Sequence, residues 1–186
     1  MLHIGIVACS TEGAALCYRT ISLEGAQLLG VHDHPEVSLH SHSLARYMKS
    51  IEAGDWAGVA ELMLSSADKL AKAGADFLIC PDNTIHQAFD LIEHRAPRPW
   101  LHIAREVAAE AKRREFRRLA VLGTRYLMEG PVYPQALRSL KDEGCDAVVL
   151  GCTEIPLLVT PESSPMPTLD STRLLARAAV RKAIDG

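Results

Sequence analysis

The chain has 186 residues, enough for one sizeable core or two small lobes. Its 48% hydrophobic and 23% charged residues are the mix of an ordinary globular protein, and a net charge of −3 excludes a general basic field for nucleic acid. No apolar run approaches the roughly 18–20 residues of a membrane span, which argues against a membrane protein. The opening MLHIGIVACS goes straight into a strand pattern rather than a leader, so the expected location is cytoplasmic. Five cysteines without CxxC spacing argue against a disulfide framework or a structural zinc site. Most read as small buried hydrophobes, and position decides whether one is a nucleophile or base.

In chain order, short apolar runs alternate with longer helix-period segments. LHIGIVA (2–8) predicts a strand and 11–28 a helix; EVSLH (36–40) predicts a second strand, followed by helices at 43–52 and 56–73. Asp55 caps the second of these helices and Gly74 stops it. DFLIC (76–80) is a strand, 84–94 a helix, and RAPRPW (95–100) the candidate linker between lobes. Next come a helix at 103–114, the strand LAVLG (119–123) and a helix at 133–143 stopped by Gly144. DAVVLG (146–151), MPTL (166–169) and a helix at 171–184 capped by Asp170 complete the pattern. Apolar strands separated by helices imply an α/β fold whose mostly parallel sheets are covered on both faces.

One internal repeat locates a site. LAKAGADFLICPDNT (70–84) aligns with LKDEGCDAVVLGCTE (140–154), so that Leu70, Gly74 and Asp76 fall on Leu140, Gly144 and Asp146. At the following turn Asp82 falls on Cys152. Ligands of parallel sheets bind beyond the carboxyl ends of the strands. Two pseudo-symmetric lobes, residues 1–97 and 98–170, with the helix 171–184 packing back on the first, would therefore turn Asp82 and Cys152 towards one cleft. Such a pair suits proton transfer at a carbon stereocentre, which needs one group on each face. Gly151 lets the backbone come close at Cys152, and the helix start beyond favours a thiolate or a bound carboxylate. Thr84 and Thr153 add hydroxyls at matching helix starts. The plain alternatives are a small buried residue for Cys152 and a turn or N-cap for Asp82.

The strings AVVLGCTEIPLL (147–158), PDNTIH (81–86), VLGTRYLMEGPVY (121–133) and IGIVACSTEGAALCY (4–18) resemble the aspartate/glutamate racemase family. The resemblance implies two α/β lobes closing over an amino acid, no pyridoxal phosphate or other cofactor, and a base or acid from each lobe. The family's second cysteine corresponds to Cys152. Asn83, Thr84, Thr124 and Thr153 correspond to positions that hold the substrate's carboxylate and amine. Glu154 corresponds to a group assisting the second cysteine, and Ser10 and Thr11 to a substrate-contacting loop. The implied partner is a small amino or carboxylic acid, and a homodimer fits the family's habit.

Three departures stand out. The family's first cysteine is Asp82 here, Cys80 being two residues too early and expected inside the sheet. A C-terminal histidine of relatives would fall on Leu175. Roughly forty residues of the family pattern, by resemblance alone, are missing between EGPVY and the helix before Cys152, which shortens the second lobe. The expected activity is therefore racemisation of aspartate- or glutamate-like substrates by a mixed Cys152/Asp82 pair. A single-cysteine lyase or isomerase of the arylmalonate decarboxylase kind, or an inactive or binding paralogue, is the alternative.

His32, His34, His40 and His42 cluster with Asp33 and are expected to line or flank the cleft mouth rather than to bind metal. His86 is expected to orient a helix start, and Arg46 and Arg125 to form surface or interlobe ion pairs rather than to pair with a substrate carboxylate. No phosphate loop or dinucleotide fingerprint occurs.

Overall fold

A computed structural model of the chain describes residues 1–124, 126–127, 145–152, 155, 164 and 167–186. The first sheet is wholly parallel in the order β2-β1-β3-β4, with β1 at Ile4–Ala8, β2 at Val37–Ser41, β3 at Phe77–Ile79 and β4 at Trp100–Leu101. The second is parallel in the order β5-β6-β7, with β5 at Arg118–Leu122, β6 at Cys145–Leu150 and β7 at Thr168–Asp170. Five helices accompany them among the described residues: α1 Thr11–Leu29, α2 Leu44–Glu52, α3 Trp56–Lys72, α4 Ile103–Arg113 and α5 Ser171–Asp185. A 3₁₀ helix runs over Thr84–Leu91. The fold is α/β with two lobes.

Alternation along the strands explains how a short apolar run buries both faces. Ile4, Ile6, Phe77 and Ile79 point to α1 and α5, packing on Cys17, Ile21, Leu175, Ala179 and Val180. Val7, Leu78 and Cys80 point the other way, to Tyr47 and Ile51 of α2 and Val59, Met63 and Leu70 of α3. Cys80 is thus a buried sheet residue, and Leu175 is core. In the second lobe Ala147, Val149 and Leu169 pack against Ala104, Val107 and Ala111 of α4.

The repeat read from the sequence recurs in the hydrogen bonding. Asp76 accepts from the His3 N–H at 2.7 Å, and Asp146 from the N–H groups of Arg117 and Arg118 at 2.8 and 3.3 Å. In each lobe a carboxylate at the foot of one strand satisfies the first donors of its neighbour. Gly74, with φ +98°, ends α3 in a left-handed conformation that other residues rarely adopt. Asp55 and Asp170 cap α3 and α5 through the N–H groups of Gly58 and Arg173.

Two expectations change. The linker 95–100 ends in strand β4, so the first sheet runs past residue 97. The prolines hide this strand, because Pro99 donates nothing; its carbonyl accepts from the Leu78 N–H at 2.8 Å, as an edge position allows. The segment 84–94 is a 3₁₀ helix ending at Leu91 rather than an α-helix. The helix expected at 133–143, with its stop at Gly144, lies outside the described residues.

Gly5 marks where α3 and its exit cross the first sheet. A Cβ there would stand 2.7 Å from Leu78 Cδ2, 2.9 Å from Ala75 Cβ and 3.3 Å from Leu70 Cβ. Gly5→Ala is expected to cost about 1–3 kcal/mol through overpacking, read as a lower urea midpoint at unchanged m-value.

Candidate active site

A cavity of about 230 Å³ opens at the carboxyl ends of both sheets. It is smaller than the roughly 300–1,000 Å³ of sites for drug-sized ligands. β1 leads into Cys9 and Ser10, and β3 into Asp82, Asn83 and Thr84. From the second lobe, β5 leads into Thr124 and Tyr126, and β6 into Gly151 and Cys152. Leu44, Met48 and Ile51 of α2 complete the lining.

Helix-capping chemistry sets the polar wall. Ser10, Asp82 and Thr124 each follow a strand and accept from an N–H three residues on, those of Gly13 (3.3 Å), Ile85 (3.2 Å) and Leu127 (3.3 Å). A short polar side chain at such a turn serves the helix and faces the space beyond the sheet. The Asp82 carboxylate therefore holds the turn that opens the 3₁₀ helix, whose N-cap residue is Asn83, and lines the cavity as well. Cys152 is half-buried, whereas Cys9, Cys17 and Cys80 are buried. Gly151 has no room for a side chain: a Cβ would meet Leu127 Cδ2 at 2.5 Å and the Leu122 carbonyl at 3.1 Å.

Two bridges tie the lobes beside the cavity. The hydroxyls of Thr84 and Thr124 lie 3.1 Å apart. Buried Asn83 donates from its amide to Ser171 Oγ at 3.0 Å, and Ser171 donates to the Leu150 carbonyl at 2.9 Å. Behind Asp82, His86 Nδ1–H donates to the Asp82 carbonyl at 2.6 Å, while Nε2 accepts from the Ile103 N–H at 3.4 Å. This pairing requires the neutral ring. Burial, with Arg105 adding to it, lowers the His86 pKa to about 4 against the pull of the Asp82 carbonyl. His102, 4.6 Å away ring to ring, caps α4 by accepting from Ala104 and Arg105, and burial and then His86 hold it to about 2. His86 thus fixes the strand exit that carries Asp82, as well as a helix start.

Of the residues expected in the site, Ser10, Asp82, Asn83, Thr84, Thr124 and Cys152 meet in the one cavity. Thr11 does not line it: Ser10 is the cap and Thr11 the first helical residue, turned outward and exposed. Thr153, Glu154 and Arg125 lie outside the described residues. His40 and His42 do not line the cavity either; they hydrogen-bond Ser66 and Ser65 of α3, and Arg46, which meets His42, is not part of the lining. Among the described residues no group of three or more His, Cys, Asp or Glu is placed to hold a metal, and no helix is long and apolar enough to cross a membrane. Sequence reasoning missed Cys9, the α2 wall and Tyr126. For Cys9 a signal existed, since it leaves a strand's carboxyl end just as Asp82 and Cys152 do.

The family model for Asp/Glu/hydantoin racemases matches residues 6–140. The chain belongs to this racemase family. Within the family it is similar to the broad specificity amino-acid racemase RacX of Bacillus subtilis (strain 168), at 22% identity over 158 aligned residues covering 63% of this chain and 69% of that one. A crystal structure from Yersinia pestis assigned to the Asp/Glu racemases superposes with a TM-score of 0.86 at 26% identity, over 99% of this chain and all of that one. The glutamate racemase of Thermus thermophilus, solved with β-chloro-D-alanine, shares the fold, with a TM-score of 0.73 at 20% identity over 99% of this chain and 81% of that one.

Proposed function

We propose that this racemase-family chain inverts a small α-amino acid without a cofactor, Cys152 serving one face of the α-carbon and Asp82 the other. The observation that carries the reading is one cavity lined by both side chains, delivered from different lobes. As a thiolate, Cys152 removes the α-proton; the Asp82 carboxylic acid supplies a proton to the opposite face. The enzyme is left with a Cys152 thiol and an Asp82 carboxylate, the form that runs the reverse inversion. An ordinary carboxyl, with a pKa near 3.9, is a far weaker base than a thiol near 8.5. Closure of the lobes over substrate, which removes water, is what brings such a pair into range. Ser10, Thr84 and Thr124 offer hydroxyls for the substrate's carboxylate and amine, with Asn83, Thr153 and Glu154 as the further expected contacts.

The family resemblance points to aspartate and glutamate as substrates. A second reading, an aliphatic side chain, is favoured by the wall of Leu44, Met48 and Ile51. Decarboxylation ranks lower, because an Asp82 carboxylate on the cavity wall opposes a substrate carboxylate departing past it. The test is proton NMR in D₂O with L-aspartate, L-glutamate, L-methionine and L-leucine, with chiral analysis of the products. Expected is loss of the α-proton signal together with appearance of the D-enantiomer for at least one of them. Absence of exchange with all four, or turnover of arylmalonates alone, would overturn the proposal.

A further inference from the structure

Polar and apolar groups reach the cavity from different elements. Ser10, Asp82, Asn83, Thr84, Thr124 and Cys152 all follow strand ends, whereas Leu44, Met48 and Ile51 belong to the single helix α2. Spacings of four and three residues put these three on one face of that helix. Tyr47 and Ile51 are buried in the first-lobe core and Met48 packs against it, so the wall is held in place. The cations of α2, Arg46 and Lys49, lie on its other side, where they line a separate surface cavity with Asp55 and Glu61. Among the described residues lining the active-site cavity none is a lysine, arginine or histidine, and Asp82 is an acid.

We propose that this face of α2 is the side-chain subsite, with Met48 at its centre, and that it selects amino acids of the leucine and methionine class over aspartate and glutamate. This rests on the reading of the cavity as the place where an α-amino acid is bound and inverted. With Asp82 and Cys152 serving the two faces of the α-carbon, and its carboxylate and amine held by hydroxyls, the remaining substituent is left to the apolar wall. An apolar side chain gains there by leaving water. The second carboxylate of aspartate or glutamate would give up its hydration against alkyl and thioether groups, and an ionised Asp82 would repel it. That penalty persists through the reaction, so the discrimination is carried by kcat/KM. Met48 is unbranched and polarisable, which lets the wall adapt to side chains of different shape while still refusing charge.

The test pairs turnover with binding. Inversion of L-methionine, L-leucine, L-alanine, L-aspartate and L-glutamate is followed by circular dichroism, and binding of the same five to Cys152→Ala by calorimetry. For methionine and leucine kcat/KM is expected to exceed that for the acidic pair by about a hundredfold. Met48→Ala should lower kcat/KM for methionine and leucine about tenfold and leave L-alanine, whose methyl group stops short of the wall, within about twofold. An equal loss for all substrates, L-alanine included, would make Met48 merely structural and overturn its assignment. Met48→Arg is expected to shift the preference towards aspartate and glutamate by about a hundredfold. Leu44→Arg, at a position 44% exposed, gives a shift in the same direction should Met48→Arg fail to fold. A wild type that handles aspartate or glutamate as well as methionine and leucine, or a protein that binds none of the five, overturns the proposal. Tighter binding of methionine and leucine without inversion of any substrate would uphold the subsite and sink the racemase reading instead.

Discussion

Racemisation by an Asp82→Asn variant is expected to fall by about a thousandfold or more, a loss of about 4 kcal/mol of transition-state stabilisation. The amide keeps an oxygen to accept from the Ile85 N–H, so the turn survives while the transferable proton is gone. Asp82→Ala should lose as much activity and, with its turn hydrogen bond to the Ile85 N–H removed, about 1 kcal/mol of stability besides. The two variants therefore separate chemistry from architecture. Under the proposed scheme Cys152 still reaches its own face, so α-proton exchange with D₂O continues slowly in both variants without inversion. Cys152→Ala removes the stronger base and should abolish inversion, together with the exchange seen in the Asp82 variants. Exchange is read by proton NMR and inversion by circular dichroism of the substrate. A folded Asp82→Asn protein that inverts at the wild-type rate would end the two-base scheme.

Stability against urea is expected to drop by about 3 kcal/mol between pH 6.5 and about 4 through His86 alone. The sign follows from proton uptake. In the unfolded chain His86 binds its proton near pH 6.5, whereas the folded protein resists until about pH 4. Between those values the unfolded state holds more protons, and acid favours it; above 6.5 neither state is charged and the contribution is complete. Protonating Nε2 would set a donor against the Ile103 N–H, which bonds no other acceptor among the described residues. His102 acts in the same direction at lower pH. Unfolding midpoints at pH 7, 6, 5 and 4.5 test this. His86→Gln should be less stable at pH 7 and lose most of the slope between pH 6.5 and 4. A wild-type midpoint that is flat across that window would contradict the neutral ring.

Much of the first lobe was legible because its strands and helices carry their own periodicities. The alternation of Ile4, Ile6 and Val7 and of Phe77, Leu78, Ile79 and Cys80 needs no partner to be read. β4 was not legible: two residues beside prolines become a strand only because β3 offers an edge. Asp82 and Cys152 could be found because duplicated sequence placed them at equivalent strand exits. Ser10 was distinguishable from Thr11 only through the exact start of α1, where one residue turns a side chain by about 100°. Cys9 escaped because a cysteine at a strand's end reads as a small buried apolar group, and whether it lines a cavity is decided by tertiary packing. The α2 wall is tertiary in origin. Leu44, Met48 and Ile51 have ordinary helical spacing, and nothing in that spacing tells which face lies over a cleft.

The paired hydroxyls of Thr84 and Thr124 give the molecule something like a clasp whose two halves are also the expected handles for a guest. One hydroxyl donates and the other accepts, so the accepting threonine keeps its own O–H for a carboxylate. Under the proposed scheme a guest is gripped while the two halves stay fastened, which suits lobes that close over it.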